Sequence, residues 1–76
     1  MKKLFEKIGI IYNPDIKEAK ILAKKINSKI KNSEIFSLEN LKKDIDLAIV
    51  AGGDGTFLRA ARFYGISSTP VLGFNV

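Results

Sequence analysis

A short apolar run that ends in a cluster of glycines is the feature that most constrains the fold of this chain of 76 residues. Residues 47–51 are apolar throughout, which predicts a strand buried on both faces of a parallel sheet. Residues 57–61 are mostly of types that favour a helix. The turn between them consists of Gly52, Gly53, Asp54, Gly55 and Thr56. The sequence therefore predicts a strand, a tight turn and a helix in direct succession.

The glycine turn has the chemistry of a phosphate site, with one exception. Glycines let a ligand approach the backbone closely, and the free N–H groups at the start of a helix attract anions. The carboxylate of Asp54 repels phosphate, so we expect it to bind a hydroxyl group or a metal ion. The alternative is that Asp54 is a turn residue whose side chain hydrogen-bonds its own backbone.

Strands and helices alternate along the rest of the chain. Strands are predicted at residues 7–12, 33–37, 45–51 and 70–74. One helix is predicted from residue 14 to residues 29–31 with Asn13 as its N-cap, and a second over residues 56–64 with Gly65 as its C-cap. Because crossovers between parallel strands are right-handed, this order predicts an α/β fold with a doubly wound parallel sheet.

Several side chains have a structural interpretation. Gly9 weakens its strand unless another group packs closely there, and Thr56 is expected to be the N-cap of the second helix. Asp46 lies at the start of the central strand, far from the turn, and has no predicted role. The side chains expected to pack on the core are Tyr12, Leu38, Leu41, Phe57, Leu58 and Phe74.

The composition excludes several kinds of site. The chain has no cysteine, hence no disulfide or thiolate metal site, and no histidine, so Asp and Glu are the candidates for a general base. No apolar run approaches the ~20 residues of a membrane span, and residues 1–7 do not resemble a signal peptide. These observations fit a reducing compartment, and we expect the cytoplasm.

The net charge of +5 comes from the amino-terminal half. Residues 1–31 contain nine lysines and three acids, whereas residues 32–76 contain four basic and five acidic residues. The lysines lie away from the glycine turn and are not interleaved with aromatic residues, so a solvated helix face explains them better than a nucleic-acid surface.

Two common phosphate loops do not match the glycine turn. No lysine follows the glycines, although the loop of nucleoside triphosphatases requires one. The dinucleotide fingerprint requires a third glycine at the position of Leu58, and Asp54 would repel a pyrophosphate.

The sequence resembles the NAD kinase family most closely. The signature Gly-Gly-Asp-Gly-Thr, residues 52–56 here, is shared by NAD kinases, diacylglycerol and sphingosine kinases, and 6-phosphofructokinases. The NAD kinases also open with a strand ending in Asn-Pro, as at residues 13–14. They continue with a helix similar to Phe-Leu-Arg-Ala-Ala-Arg at residues 57–62 and with Pro-Val-Leu-Gly-Phe-Asn, as at residues 70–75.

This resemblance implies that residues 1–76 are the incomplete, Rossmann-like amino-terminal domain of a two-domain kinase, without its β-rich carboxyl-terminal domain. It implies phosphorylation of the adenosine 2′-hydroxyl of NAD by ATP or polyphosphate. Asp54 matches the proton acceptor, and Asp54, Gly55 and Arg59 match residues that contact NAD. Gly52, Gly53 and Thr56 match the phosphate-binding loop. We expect little NAD binding by the 76 residues alone.

Further expectations concern partners. The chemistry implies a divalent ion, magnesium, but this sequence supplies no assignable ligand set. We expect NAD and ATP as small-molecule substrates, no nucleic acid or membrane as partner, and a homo-oligomer for the full-length protein. Two alternatives stay open, a lipid kinase with the same signature and a basic nucleic-acid-binding module. For Arg59 the alternative is a solvent-facing helix charge.

Overall fold

The computed structural model describes residues 5–75, so residues 1–4 of the amino-terminal segment and Val76 lie outside the described residues. The elements in chain order are β1 (Ile8–Tyr12), α1 (Lys17–Lys29), β2 (Ser33–Ser37), a 3₁₀ turn (Leu38–Asn40), β3 (Leu47–Gly52), α2 (Asp54–Gly65) and β4 (Val71–Asn75). All four predicted strands and both predicted helices are present, with ends that differ by a few residues.

The four strands form one parallel sheet in the order β2-β1-β3-β4. The chain moves outward from β1 to β2, crosses back to β3 on the other side of β1, and continues outward to β4. The direction of winding therefore reverses between β1 and β3. This confirms the predicted α/β fold with a parallel sheet.

The two helices cover opposite faces of the sheet. Side chains alternate between the two faces along a strand, so the contacts of successive β3 residues show which helix covers each face. All of β3 is buried, as its apolar run predicts. Leu47 and Ile49 of β3 belong to the cluster that contains Ala19 and Ala23 of α1. Val50 of β3 belongs to a second cluster, with residues of α2 and the segment before β3. The sheet is thus doubly wound, with a small core on each side.

Gly9 in β1 is needed for close packing. An ideal Cβ at this position would lie 2.7 Å from Cδ1 of Ile45 and 2.8 Å from Cζ of Phe36. The expectation that something packs closely against this glycine is confirmed, and Leu38 is likewise buried as predicted.

Asp46, for which no role was predicted, stabilises the amino-terminal end of the sheet. Oδ2 of Asp46 accepts hydrogen bonds from the backbone N–H groups of Glu6, at 2.9 Å, and Lys7, at 3.0 Å. Asp46 therefore ties the segment before β1 to the start of β3. No helix among residues 5–75 is long and apolar enough to cross a membrane.

Candidate functional site

The candidate site lies at the carboxyl ends of β3 and β4, next to the end of β1, where the sheet reverses its winding. Ligands of open α/β sheets bind at the carboxyl ends of strands at such a reversal. Two connections meet there. Residues 13–16 join β1 to α1, and Gly53 alone joins β3 to α2. The shorter connection places the start of α2 directly at the end of β3.

Gly52, the last residue of β3, permits this close approach. A Cβ added at Gly52 would lie 2.8 Å from both Cβ and Oγ1 of Thr56. At Gly53 and Gly55, by contrast, an added Cβ meets nothing within 4 Å. No glycine in residues 5–75 has a positive φ angle, so backbone freedom does not explain these glycines. Within the described chain, the space beside Gly53 and Gly55 is open.

The start of α2 combines free backbone donors with an acidic side chain. The first helical hydrogen bond runs from the N–H of Phe57 to the carbonyl of Gly53, at 3.1 Å. The N–H groups of Asp54, Gly55 and Thr56 precede this bond and form the electropositive end of the helix dipole. Asp54 is the first residue of α2 and is exposed. The structure therefore presents an accessible carboxylate beside donors that suit an anion.

Thr56 lies inside the helix and is not its cap. The N-cap is Gly53, which makes no side-chain cap hydrogen bond, so the prediction of Thr56 as N-cap is wrong. The Thr56 side chain is 4% exposed, and its Oγ1 accepts a hydrogen bond from Nδ2 of Asn13 at 3.1 Å. Because Gly52 has no side chain, the helix lies close enough to the strand to bury this threonine.

Asn13 is likewise not the cap of α1. That helix begins at Lys17 and its N-cap is Ile16, so the prediction of Asn13 as N-cap is wrong. Oδ1 of Asn13 instead accepts from the N–H of Asp15 at 2.9 Å, within the turn that precedes the helix. Asn13 thereby joins the two connections at the end of the sheet.

A cleft of about 270 Å³ opens between the start of α2 and the end of β4. Phe57 is 38% exposed and Phe74 is 45% exposed, so their predicted core positions are wrong. An ideal Cβ at Gly73 would lie 2.6 Å from Cδ1 of Phe57, which shows how closely this ring packs over β4. The residues that line the cleft are Val50, Gly52, Asp54, Phe57, Gly73, Phe74 and Asn75.

Of the seven residues that line this cleft, Gly52 and Asp54 were predicted as site residues, and the other five, Val50, Phe57, Gly73, Phe74 and Asn75, were not. Asn75 pairs with Gly52 in the parallel register of β3 and β4. Since Gly52 begins the glycine turn, a parallel register between the last two strands places Asn75 beside that turn. The signal for Asn75 was therefore present in the predicted topology.

Arg59 lines a different groove. It is exposed, and it borders a space of about 500 Å³ together with Leu38, Glu39, Asn40, Leu41 and Phe63. At 3.6 residues per turn, five residues correspond to about 140° around a helix. Arg59 and Asp54 therefore project from different sides of α2. Leu58, predicted in the core, is 52% exposed.

The described residues do not offer a resident metal site. Within residues 5–75, no group of three or more His, Cys, Asp or Glu side chains is arranged to hold a metal ion. Asp54 is the single carboxylate among the residues that line the cleft. The site presents a carboxylate at Asp54 that can accept a proton and backbone donors at the start of α2 that can bind an anion.

Comparison with known proteins identifies related sequences. The family model of the ATP-NAD kinase N-terminal domain matches residues 24–76. A protein of Bdellovibrio bacteriovorus named NAD kinase is 36% identical, over 91% of this chain and 28% of the relative. The NAD kinase of Clostridium beijerinckii is 40% identical, over 91% of this chain and 28% of the relative.

A further relative covers nearly all of the chain. The NAD kinase of Buchnera aphidicola subsp. Baizongia pistaciae is 33% identical, over 99% of this chain and 32% of the relative. The chain thus spans about a third or less of the length of these curated relatives. No solved structure gives a significant match.

Proposed function

Because the chain belongs to the ATP-NAD kinase family, whose N-terminal domain model matches residues 24–76, we propose that the full-length protein is an NAD kinase. It transfers a phosphoryl group from ATP or polyphosphate to the adenosine 2′-hydroxyl of NAD, and the product is NADP. The observation that carries the proposal is the accessible carboxylate of Asp54, the first residue of α2, in the cleft at the carboxyl ends of β3 and β4.

Asp54 is the proposed proton acceptor. A carboxylate that accepts a hydrogen bond from the ribose 2′-hydroxyl orients it and takes its proton as the donor phosphoryl group arrives. Phosphoryl transfer depends mainly on positioning and on stabilisation of charge, so a single base and a set of oriented donors suit this chemistry. The exposure of Asp54 is consistent with this role, because a substrate can reach it.

The turn before and within the start of α2 is the proposed phosphate-binding loop. Gly52, Gly53 and Thr56 belong to it. Gly52 lets the helix start lie against the strand, and the open space at Gly53 lets a phosphate approach the backbone. Thr56 contributes its backbone N–H at the positive end of the helix dipole, since its side chain is buried against Asn13.

Asp54, Gly55 and Arg59 are the proposed NAD contacts. Gly55 has open space beside its Cα, so a ligand can lie directly against the backbone there. Arg59 borders the groove on the other side of α2. A dinucleotide that contacts both Asp54 and Arg59 therefore has to extend around the first turns of the helix. The planar guanidinium of Arg59 suits a phosphate at that end.

The remaining parts of the proposal concern the whole protein. Magnesium enters with the phosphates of the donor, as is usual for this ion, and this part of the chain supplies no complete ligand set. We place the remainder of the NAD site in a β-rich carboxyl-terminal domain, and we propose a homo-oligomer in the cytoplasm. The present chain corresponds to about a third or less of the relatives.

The test is a product assay on the purified full-length protein. NAD is incubated with ATP and magnesium, and NADP is measured with an NADP-specific dehydrogenase; polyphosphate replaces ATP in a parallel reaction. NADP formation is the expected result. NAD that lacks the adenosine 2′-hydroxyl is the matched control and yields no phosphorylated product.

Two other outcomes would overturn the proposal. Phosphorylation of diacylglycerol or sphingosine without phosphorylation of NAD would identify a lipid kinase. Tight binding of nucleic acid with a steep dependence on salt, and no transfer to NAD, would identify a basic nucleic-acid-binding module.

A further inference from the structure

We propose that Asn13 is a positioning residue, which holds the first turn of α2 through Thr56 and thereby orients the carboxylate of Asp54. The inference rests on the proposed function. Its basis is the hydrogen bond from Nδ2 of Asn13 to Oγ1 of Thr56, at 3.1 Å, which joins residues 43 apart in the sequence. This bond connects the end of β1 to the start of α2, across the reversal point of the sheet.

The orientation of the Asn13 amide is fixed by a second hydrogen bond. The backbone N–H of Asp15 can only donate, and it donates to Oδ1 of Asn13 at 2.9 Å. Nδ2 must therefore face Thr56, whose hydroxyl oxygen accepts. The carbonyl of Asn13 also accepts from the N–H of Ile16 at 3.1 Å, so the backbone around this side chain is held in a turn. Asn13 is consequently a fixed donor.

Thr56 transmits this constraint to Asp54. Its side chain is 4% exposed and packs where a Cβ on Gly52 would lie, 2.8 Å from Thr56 Cβ. Thr56 and Asp54 share the first turn of α2, which is a hydrogen-bonded helix from Phe57 onward. A rotation or translation of this turn at Thr56 therefore moves the backbone of Asp54 by a similar amount. Misplacement of a reacting group by ~1 Å can lower a catalysed rate about 10²-fold.

Asn13 is the side chain that holds the start of α2 in place. Gly53, the N-cap, makes no side-chain hydrogen bond to the helix, so no cap side chain fixes this end. Among the side chains of residues 5–75, Asn13 is the one that donates to the first turn of α2. The hydrogen bond of Asn13 thus holds this end of the helix through the Thr56 side chain and leaves the backbone N–H groups of the first turn available for an anion.

A double-mutant cycle on the full-length protein tests the inference. The variants are Asn13→Ala, Thr56→Val, which has nearly the same shape without the hydroxyl, and the double variant; Thr56→Ser is the conservative rescue. Thr69→Val is the matched control, because among residues 5–75 the one hydrogen-bond partner of Thr69 Oγ1 is Ser67 Oγ, 3.0 Å away, near the other end of α2. Two properties are measured: the kinetics of NADP formation, as kcat and KM, and hydrogen exchange of the backbone amides of residues 57–59, which are the first hydrogen-bonded amides of α2.

We expect Thr56→Val to lower kcat about tenfold or more with a smaller change in KM, because the substrate contacts remain while the base is misplaced. Exchange at residues 57–59 rises while exchange in α1 is unchanged. The double variant loses no more kcat than the more damaged single variant, Thr56→Ser restores most of kcat, and Thr69→Val leaves both properties unchanged. Unchanged kcat and exchange in Thr56→Val, or losses that multiply in the double variant, would overturn the inference.

The exchange measurement separates this inference from the proposed function. A full-length protein that forms no NADP would overturn the kinase proposal, and the exchange at residues 57–59 would still decide whether Asn13 fixes the helix start. A protein that forms NADP at the wild-type rate without the Thr56 hydroxyl would overturn only the positioning role.

Discussion

The two ends of α2 differ in almost every property that separates a binding surface from a core. At the amino-terminal end, Asp54 and Gly55 are exposed and have open space beside the backbone. At the carboxyl-terminal end, Tyr64 is fully buried and its hydroxyl donates to the carbonyl of Lys42 at 2.6 Å. The rings of Phe63 and Tyr64 also meet edge to face, with centroids 4.9 Å apart at 81°.

The difference indicates a division of labour along one helix. Apolar and aromatic packing near Ala60 and Tyr64 fixes α2 on the sheet, so the first turn can be left open for a ligand. Substitutions at the exposed positions of the first turn, Asp54 and Gly55, should therefore affect activity with little effect on stability. Substitutions near Tyr64 should do the reverse.

The largest expected effect is that of Asp54→Asn on activity. Loss of the proposed base should lower kcat for NADP formation by about 10²- to 10⁴-fold. Stability should change little, since Asp54 is exposed and a first-turn acid stabilises a helix by only about 0.3–1 kcal/mol. Asp44→Asn, which removes an exposed acid paired with Lys7 at the opposite end of the sheet, is the control and should retain activity. Wild-type turnover by Asp54→Asn would refute the assignment of the base.

The second largest expected effect is that of Gly55→Ala, at the amino-terminal end of α2. The added methyl group meets no protein atom within 4 Å, but it occupies the proposed approach path of the substrate. We expect kcat/KM to fall about 10²-fold, while the thermal midpoint is unchanged or raised because alanine favours helix. Gly65→Ala is the matched control, since it makes the same change in equally open space at the other end and should not affect kcat/KM. Full activity in both variants would exclude a ligand beside Gly55.

Gly52→Ala tests the packing between the end of β3 and the first turn of α2. Its Cβ would lie 2.8 Å from the Thr56 side chain, so strand and helix must separate. Overpacking of this kind costs about 1–3 kcal/mol. The thermal midpoint of the full-length protein should fall, whereas Gly53→Ala, with no neighbour within 4 Å, should leave it unchanged. Equal midpoints for the two variants would contradict the packing described for Thr56.

The smallest expected effect is that of pH on the buried end. Burial raises the pKa of Tyr64 to about 12, above the value of ~10 for an exposed tyrosine. As the pH rises, the unfolded chain therefore loses the Tyr64 proton before the folded chain does. The contribution of the protonated Tyr64 to the free energy of unfolding is fully present below pH ~10 and is lost as the pH rises towards ~12. Tyr64→Phe should cost about 1 kcal/mol at pH 8, through the lost hydrogen bond to Lys42.

The gap in unfolding free energy between the wild type and Tyr64→Phe is measured by denaturant titration from pH 8 to pH 11. It should narrow above pH ~10, because the variant has no phenol to titrate. A gap that stays constant across this range would mean that the Tyr64 hydroxyl is not buried in solution.

Local sequence patterns were sufficient for the fold. The apolar run of β3 predicted a strand buried on both faces, and residues 33–37 form the predicted strand with the predicted ends. The alternation of strands and helices predicted the parallel, doubly wound sheet. These predictions succeeded because periodicity and chain order depend on neighbours in the sequence.

The errors concern side chains whose partners are distant in the sequence. Asn13 was interpreted as a helix cap because Asn-Pro is a common helix start, but its partner is Thr56, 43 residues later. Phe57 was placed in the core because it is apolar, yet it packs over Gly73 at the rim of an open cleft. No local pattern indicates which face of a strand is left uncovered.

The separation of Arg59 from Asp54 could have been predicted from the sequence. The helical repeat alone places residues five apart on different sides of a helix. The resemblance to a family grouped both with NAD contacts, whereas the structure assigns them to different grooves. A position in a motif therefore says less about mutual distance than the geometry of the element that carries it.

The strand order has a consequence for synthesis on the ribosome. β1 is flanked by β2 on one side and by β3 on the other, so one of its edges has no partner until β3 has been translated. Pairing between segments far apart in the chain is slow to form and leaves apolar edges accessible meanwhile. Asn13 emerges 43 residues before Thr56, so the candidate site is among the last parts of this sheet to assemble.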